Sequence, residues 1–277
     1  MRVNDPLDEF LFILFRDHVT DRQIADVRAQ MHAHVHVRRQ ATQTEEDIQY
    51  QDIETALTEA EVSIENMLRP FQEALVAEAV LALLKLTPSE YHTLTLDTAD
   101  APDLEQLLAD IYKAGRELVA NELKRQGAAE VAIGDTSESE VAQLQTIADA
   151  TISRLVNDVQ FRAADLATQK AVKGLEGDAL EAALRSALEE ASTTYVTRGA
   201  REAATVVLGK GRRAEGIARA DDIGKVIFSA LLDRNCCSPC SEEDGTEYES
   251  VAVAPQVPFD ACEGGAQCRC FLIVLIK

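Results

Sequence analysis

The sequence predicts a mainly α-helical protein, in which long N-terminal helices and a helical hairpin precede a small α+β, cysteine-rich C-terminal region. Tryptophan is absent and aromatic residues make up only 5% of a chain that is 46% hydrophobic. Its apolar residues are therefore mainly Ala, Leu, Val and Ile, which suit helices packed on helices. Residues 5 to about 210 repeat apolar side chains at helical spacing. Short β-branched runs and all six cysteines follow residue 225.

The N-terminal region is predicted to be helical. The segment 44–86 is rich in Ala, Leu and Glu and contains no glycine. Pro70 should kink or split this helix, because proline lacks the N–H donor and clashes with the preceding turn. Another helix begins at Asp103, and Gly127 should stop it. The short apolar run 10–15 predicts the buried face of a first helix, and its length and acidic lead argue against a secretory signal.

Two further helices predict an antiparallel hairpin. Apolar residues recur at alternating spacings of three and four over 139–172, and Gly174 ends the stripe. The next helix, 178–208, opens with Asp178 as its cap and Glu181 three residues later, as in a capping box. A short connection between two long helices favours antiparallel packing. The hairpin should bury Leu144, Leu155, Leu166, Leu184 and Leu188.

The rest of the chain is predicted to be a small α+β region. The segments 226–232 and 271–276 are short apolar runs typical of strands, and 251–253 is a weaker third. The last run is expected to be the central strand. The predicted division of the chain is an N-terminal helical region, 1–135, a hairpin region, 136–222, and a cysteine-containing tail, 223–277.

The formal net charge of −21 limits the surfaces that the protein can bind. Such a charge argues against a protein whose whole surface binds DNA or an anionic membrane. No stretch approaches the roughly 18–20 apolar residues of a membrane span, so no membrane partner is expected. His32 and His36 would share a helix face and could hold a metal. No carboxylate or cysteine lies at matching spacing, and a solvated or packed face is the favoured interpretation.

The cysteines lie close together in the tail, where they predict one local site. Cys237 and Cys240 form a CxxC turn, and Cys268 and Cys270 lie on one face of a strand. With Cys262 these are five candidate ligands, of which three or four would make a closed tetrahedral zinc site. The same spacings fit local disulfides, Cys237 with Cys240 and Cys262 with Cys268, or reduced thiols packed as small hydrophobes.

The order of motifs in the tail resembles a known family. The motifs are Ser229, Leu232-Asp233, Cys237-x-x-Cys240, Asp244-Gly245, a proline at 255 or 258, and Cys268-Arg269-Cys270, with Thr197-Arg198 and the run 209–213 upstream. Over roughly residues 140–277 they resemble the Mu F-like domain of phage minor head proteins, also called the phage head-morphogenesis domain. Many members place a histidine shortly before the final Cys-Arg-Cys. This chain offers Cys262 instead, which would be the substitute ligand if the family site binds metal.

The resemblance implies a structural minor head protein of a bacteriophage and not an enzyme. It implies association with the portal protein or the major capsid protein, and with packaged DNA, in several copies per virion after assembly in the host cytoplasm. Two alternatives stay open. One is a zinc-stabilised nucleic-acid-binding module, which the acidic charge opposes. The other is a phage-encoded enzyme or toxin of the same domain family, which is opposed by the lack of a catalytic constellation in the N-terminal half.

A basic segment near the end of the hairpin supplies candidate contacts to a nucleic acid or a protein partner. The DNA backbone is one partner for these cations. Pairing with the acidic helices of the same protein or of the portal is the favoured alternative. The segment is not a phosphate-binding loop, since it lacks the GxxxxGK(S/T) frame and a preceding strand. The candidates are Arg198, Arg201, Lys210, Arg212 and Arg213.

Overall fold

The computed structural model describes residues 44–230, 237–257, 261–264 and 269–277. The predicted fold class is confirmed: four long helices are followed by a small antiparallel sheet. The predicted helix over 10–15 and the histidine pair lie outside the described residues. The elements are α1 Glu45–Leu83, a 3-10 turn Tyr91–Thr93, α2 Glu105–Arg125, α3 Glu138–Val172, α4 Gly177–Ala218, β1 Ile223–Ser229, α5 Ser238–Glu243, β2 Glu247–Tyr248 and β3 Phe271–Ile276.

Helix α1 is continuous through Pro70, so Pro70 does not split this helix, and the alternative of a kink stays a prediction. Ile64, Leu68, Phe71 and Leu75 are all buried on one face of the helix, on both sides of the proline. The packing of this face outweighs the hydrogen bond that proline cannot donate.

The ends of α2 and α3 follow the signals in the sequence. Gly127 adopts a φ of +104°, and its N–H donates to the carbonyl of Lys124 at 3.0 Å, so the predicted stop is confirmed. The side chain of Ser137 caps α3 and accepts from the N–H of Glu140, whose carboxylate accepts in return from the Ser137 N–H. Helix α4 begins differently from the prediction, because its N-cap is Glu176 and not Asp178.

Helices α3 and α4 form the predicted antiparallel hairpin. Arg198 of α4 pairs with Asp158 of α3, whereas Lys210, further along α4, reaches back to Gln143. The two helices therefore run in opposite directions. All five leucines expected in the hairpin core are at most 5% exposed: Leu144, Leu155, Leu166, Leu184 and Leu188. Helix α4 extends beyond the predicted 208 to Ala218.

The sheet has the order β2-β1-β3, with antiparallel neighbours. The expectation that the last strand is central is wrong, because β1 lies between the other two. The weaker candidate strand, 251–253, is a turn. Strand β3 is nevertheless buried on both faces: Phe271 and Ile273 join the core of the helices, whereas Leu272 and Val274 join a second core with Phe228. Burial of both faces explains why the run is continuously apolar.

Helices α2 and α4 cross at two glycines. A Cβ built on Gly211 would lie 2.9 Å from the carbonyl carbon of Tyr112 in α2 and closer still to its oxygen. A Cβ on Gly115 would overlap the carbonyl oxygen of Leu208 in α4. Only glycine allows the two backbones to approach this closely. The crossing thereby brings the polar side chains of α2 within reach of those of α4.

Candidate metal centre

The CxxC segment forms the start of the short helix α5. Cys237 is its N-cap residue, with extended backbone angles, and Pro239 lies in the first turn, where its missing N–H costs no hydrogen bond. The carbonyl of Cys237 accepts from the N–H of Ser241 at 3.0 Å. Cys240 is therefore held less than one turn beyond Cys237, and both thiols face the same side.

The third cysteine of the site is Cys262, which lies more than twenty residues further along the chain. Its Sγ is 3.8 Å from Cys237 Sγ and 3.6 Å from Cys240 Sγ, and all three sulfurs lie within 4.8 Å of one another. Zinc bound tetrahedrally by thiolates at about 2.3 Å would hold its sulfurs about 3.8 Å apart. The three sulfurs therefore fit three corners of a tetrahedral thiolate site, and the group could bind a metal ion.

Backbone N–H groups surround the sulfur of Cys237. Burial acts to raise the pKa of the Cys237 thiol. Hydrogen bonds from the backbone and side chain of Cys240 and from the backbone of Gly264 and Glu263 outweigh it and hold this pKa below its ordinary value. N–H groups that point at a sulfur stabilise the thiolate, which is the form that binds a metal.

The structure brings together three of the five candidate ligands. Cys270 is 5% exposed and belongs to the second core, but in the described ranges its sulfur is not one of the group that lies within 4.8 Å. Cys268 lies outside the described residues. The convergence of Cys237 and Cys240 with Cys262 is thus present, whereas the fourth ligand stays a prediction.

The Asp244-Gly245 motif closes the turn that returns from α5 to the sheet. Asp244 Oδ1 accepts from the N–H of Ala230 at 2.8 Å, and the N–H of Gly245 donates to the carbonyl of Phe228 at 2.8 Å. Gly245 has a φ of +82°, a conformation that favours glycine. Partial burial raises the pKa of the Asp244 carboxyl, and the Ala230 hydrogen bond opposes that rise. This motif therefore connects the CxxC helix to β1.

The five basic candidate residues all have partners within the chain. Arg198 pairs with Asp158, and Arg201 Nε lies 3.6 Å from an oxygen of Glu61. Lys210 Nζ donates to the side-chain oxygen of Gln143 at 3.1 Å. Arg212 pairs with Glu122. Arg213 donates to the backbone carbonyls of Ala252, Ala254 and Pro255.

Arg212 connects three elements. Its side chain is only 4% exposed. The guanidinium donates to both carboxylate oxygens of Glu122 in α2, at 2.6 and 3.0 Å. It also donates to the carbonyl of Leu272 in β3 at 2.6 Å. Complete burial raises the pKa of Glu122, and Arg212 opposes that rise. A second pair, Arg116 with Glu215, flanks the same helix crossing.

Two glutamines cover the outer edge of β3. Gln49 of α1 donates to the carbonyl of Val274 at 2.8 Å and accepts from the N–H of the same residue at 3.0 Å. Gln126 donates to that carbonyl and accepts from the N–H of Ile276, both at 3.0 Å. Together with Arg212 they satisfy backbone groups that a neighbouring strand would otherwise bind. No local sequence signal identifies these glutamines, because a helix pattern does not show which polar residue faces a distant strand.

The arginine of the Cys-Arg-Cys motif also points into the helical body. Arg269 Nε lies 3.1 Å from Glu61 Oε1 in α1, and both side chains are 13% exposed. Glu61 thus lies between Arg269 and Arg201. Sequence reasoning missed Glu61, since it is one of many glutamates on α1 and its partners are far along the chain.

No family model, curated protein or solved structure matches this chain. Among the described helices, none is long and apolar enough to cross a membrane.

Proposed function

We propose that this chain is a structural minor head protein of a bacteriophage, of the Mu F-like head-morphogenesis type. In this proposal one zinc ion cross-links its tail. The structural role is supported by the contacts that the motif residues make within the protein. Arg212 and Arg269 bind carboxylates of α2 and α1, and Asp244 caps the end of β1. These residues fasten the tail to the helices instead of lining a reaction site.

Zinc is the favoured metal because of the donor set. Cys262 Sγ lies 3.8 and 3.6 Å from the other two sulfurs, and all three lie within 4.8 Å of one another. Such a group suits a d¹⁰ ion that prefers tetrahedral sulfur coordination. Cys237, Cys240 and Cys262 would hold the ion, with Cys268 or Cys270 as the proposed fourth ligand. In the reducing cytoplasm where a phage head would assemble, disulfides are rare and a metal cross-link is favoured. The ion would supply a cross-link between the CxxC helix and the segment that leads to β3.

The metal content of the purified protein tests the proposed zinc cross-link. Full-length protein purified without chelator should contain about one zinc per chain. Cys237→Ser and Cys262→Ser should each lose most of the zinc, and Cys268→Ser tests the fourth ligand in the same way. Cys270→Ser tests the other candidate for the fourth ligand, a buried cysteine outside the group of three. Cys236→Ser is the matched control, because Cys236 lies outside the CxxC frame and is not a proposed ligand. Full zinc content in Cys262→Ser would contradict the proposed site.

Particle composition tests the head assignment. Heads purified from cells that produce the phage should contain the chain, bound to portal or capsid protein. A version with Arg269→Gln should enter heads less efficiently, since it releases the tail from Glu61. Abundant free protein that never enters heads or portal complexes would contradict the structural role.

A further inference from the structure

Arg213 differs from the other arginines in the described ranges. Each of the others has a carboxylate within ion-pair distance, as expected in a chain with a net charge of −21. Arg213 has none among the residues that the structure describes, although it is only partly exposed. Within the described ranges, no ion pair therefore compensates its positive charge.

The contacts of Arg213 leave part of its guanidinium available. Nη1 donates to the carbonyl of Ala254 at 3.0 Å and, at 3.5 Å, to that of Pro255, and Nη2 donates to that of Ala252 at 3.1 Å. An arginine has five N–H donors, so two are not used by these bonds. Two donors are what one carboxylate accepts in a bidentate pair. Burial also lowers the pKa of the Arg213 guanidinium, as expected for a cation without an anion beside it.

A cavity of about 190 Å³ lies next to this guanidinium. Its apolar wall includes Val206 of α4, Val257 of the loop that precedes β3, and Phe271 of β3. Lys210, one turn before Arg213 on the same face of α4, also lines it, and the Nζ of Lys210 bonds only to the uncharged Gln143 in the described chain. The site thus combines an apolar cavity with two cations that pair with no carboxylate of the described residues.

We propose that this cavity binds an acidic peptide segment of a partner protein, with one apolar side chain in the cavity and a neighbouring carboxylate on Arg213 and Lys210. The volume suits a single side chain and is below the roughly 300 Å³ of a typical small-molecule site. The apolar wall gives a nucleic-acid phosphate nothing to pack against. The inference rests on the proposed function in one respect, that the partner is a neighbouring head protein.

Peptide binding to the full-length, metal-loaded protein tests the inference. The probe is a short, fluorescently labelled peptide of alternating leucine and aspartate, followed by anisotropy, with an otherwise identical peptide that carries asparagine in place of aspartate. The aspartate peptide should bind at least about tenfold more tightly, because charge-assisted hydrogen bonds are lost with asparagine. Added salt should weaken its binding.

Two variants and one control locate the binding. Lys210→Glu should weaken binding about tenfold or more by placing a like charge beside the ligand, and Val206→Trp should block the cavity. Lys113→Glu makes the same charge change on an exposed lysine of α2 and should leave binding unchanged. Among the residues that the structure describes, the side chain of Lys210 makes one hydrogen bond, so its replacement should preserve the melting temperature and keep the test independent of folding.

Three results would overturn the inference. They are equal binding of the two peptides, wild-type affinity in Lys210→Glu, and tighter binding of a DNA duplex than of the peptide at the same site. The peptide assay uses no phage particles, so its failure is distinguishable from failure of the head assignment. A chain found in heads without peptide binding would refute only the cavity. Lys210-dependent binding by a chain that never enters heads would support the cavity and refute the head role.

Discussion

Replacing Gly211 by alanine should destabilise the protein, although alanine is the better helix former. In an exposed helix interior this change gains about 1 kcal/mol, because glycine loses more backbone freedom on folding. At Gly211 the added methyl would meet the backbone of α2, 2.9 Å from the carbonyl carbon of Tyr112 and 3.3 Å from the nitrogen of Arg116. A backbone cannot rotate away as a side chain can, so the two helices must separate.

Separation of α2 from α4 would also disturb the ion pairs beside the crossing. Overpacking alone costs about 1–3 kcal/mol, and disruption of one buried ion pair costs about 3–5 kcal/mol. Arg212–Glu122 and Arg116–Glu215 both link these helices, and each has side chains at most 10% exposed. After the gain in helix propensity is subtracted, the free energy of unfolding should still fall by about 2 kcal/mol or more.

Gly199→Ala in the same helix is the matched control. Its Cβ would lie 3.9 Å from Thr151 Cγ2, an ordinary van der Waals distance. This variant should be neutral or more stable by up to about 1 kcal/mol. Urea unfolding followed by circular dichroism measures both changes through the transition midpoint at constant slope. If Gly211→Ala behaves like Gly199→Ala, the close crossing of α2 and α4 is refuted.

Three further changes test the core, the buried pair and a helix cap. Leu155→Ala, at a site 4% exposed, should cost about 2–5 kcal/mol in urea unfolding, and a change below about 0.5 kcal/mol would mean that the hairpin stripe is not packed. Glu122→Gln should lower the free energy of unfolding by about 3–5 kcal/mol, because it leaves Arg212 buried without its anion. The double variant Glu122→Met, Arg212→Met should lower it by less. Losses of stability that simply add would contradict the pairing. Burial acts to raise the pKa of Glu140, but hydrogen bonds from Ser137 and Tyr112 outweigh it and lower this pKa. The ionised carboxylate therefore stabilises the fold above the ordinary glutamate pKa of about 4.3. That stabilisation is lost as the pH falls through the lowered pKa. The stability difference between wild type and Glu140→Gln should therefore shrink on acidification, and a difference that grows in acid would contradict this sign.

The helices could be predicted because their signals are local. The spacing of Leu144, Leu155 and Leu166 reports which face of α3 is buried, and Gly127 marks the stop of α2 within a few residues of the chain. The start of α3 was placed at 139 from the apolar stripe, so the cap at Ser137 was missed. The buried hairpin followed directly from that periodicity. The start of α4 was harder, because Asp178 is compatible with both a cap and a first-turn position.

The strand order could not be predicted in the same way. The apolar run of β3 agrees with the burial of both its faces, but it carries no information on which groups bind each edge. A central position was expected from that run, with a neighbouring strand on each edge. Gln49 and Gln126 satisfy it instead, from positions 225 and 148 residues before Val274.

The residues of the candidate metal centre were predictable in part, but their geometry was not. The CxxC spacing fixes Cys237 and Cys240 on one turn, and Cys262 was expected near them on chemical grounds. The N–H groups of Glu263 and Gly264 around Cys237 Sγ depend on loop geometry that residue types do not specify.

The polar contacts between tail and helices indicate why the tail depends on the rest of the chain. Strand β3 packs Phe271 and Ile273 against the helices, and its outer edge is bound by Gln49, Gln126 and Arg212. A fragment limited to 223–277 would expose that apolar face and leave the edge open to pairing with other chains. Three thiolates around a metal would cross-link α5 to the loop before β3, but they would replace none of these contacts. A bound metal and the helices would therefore stabilise different parts of the tail: the metal its internal loop, and the helices its sheet.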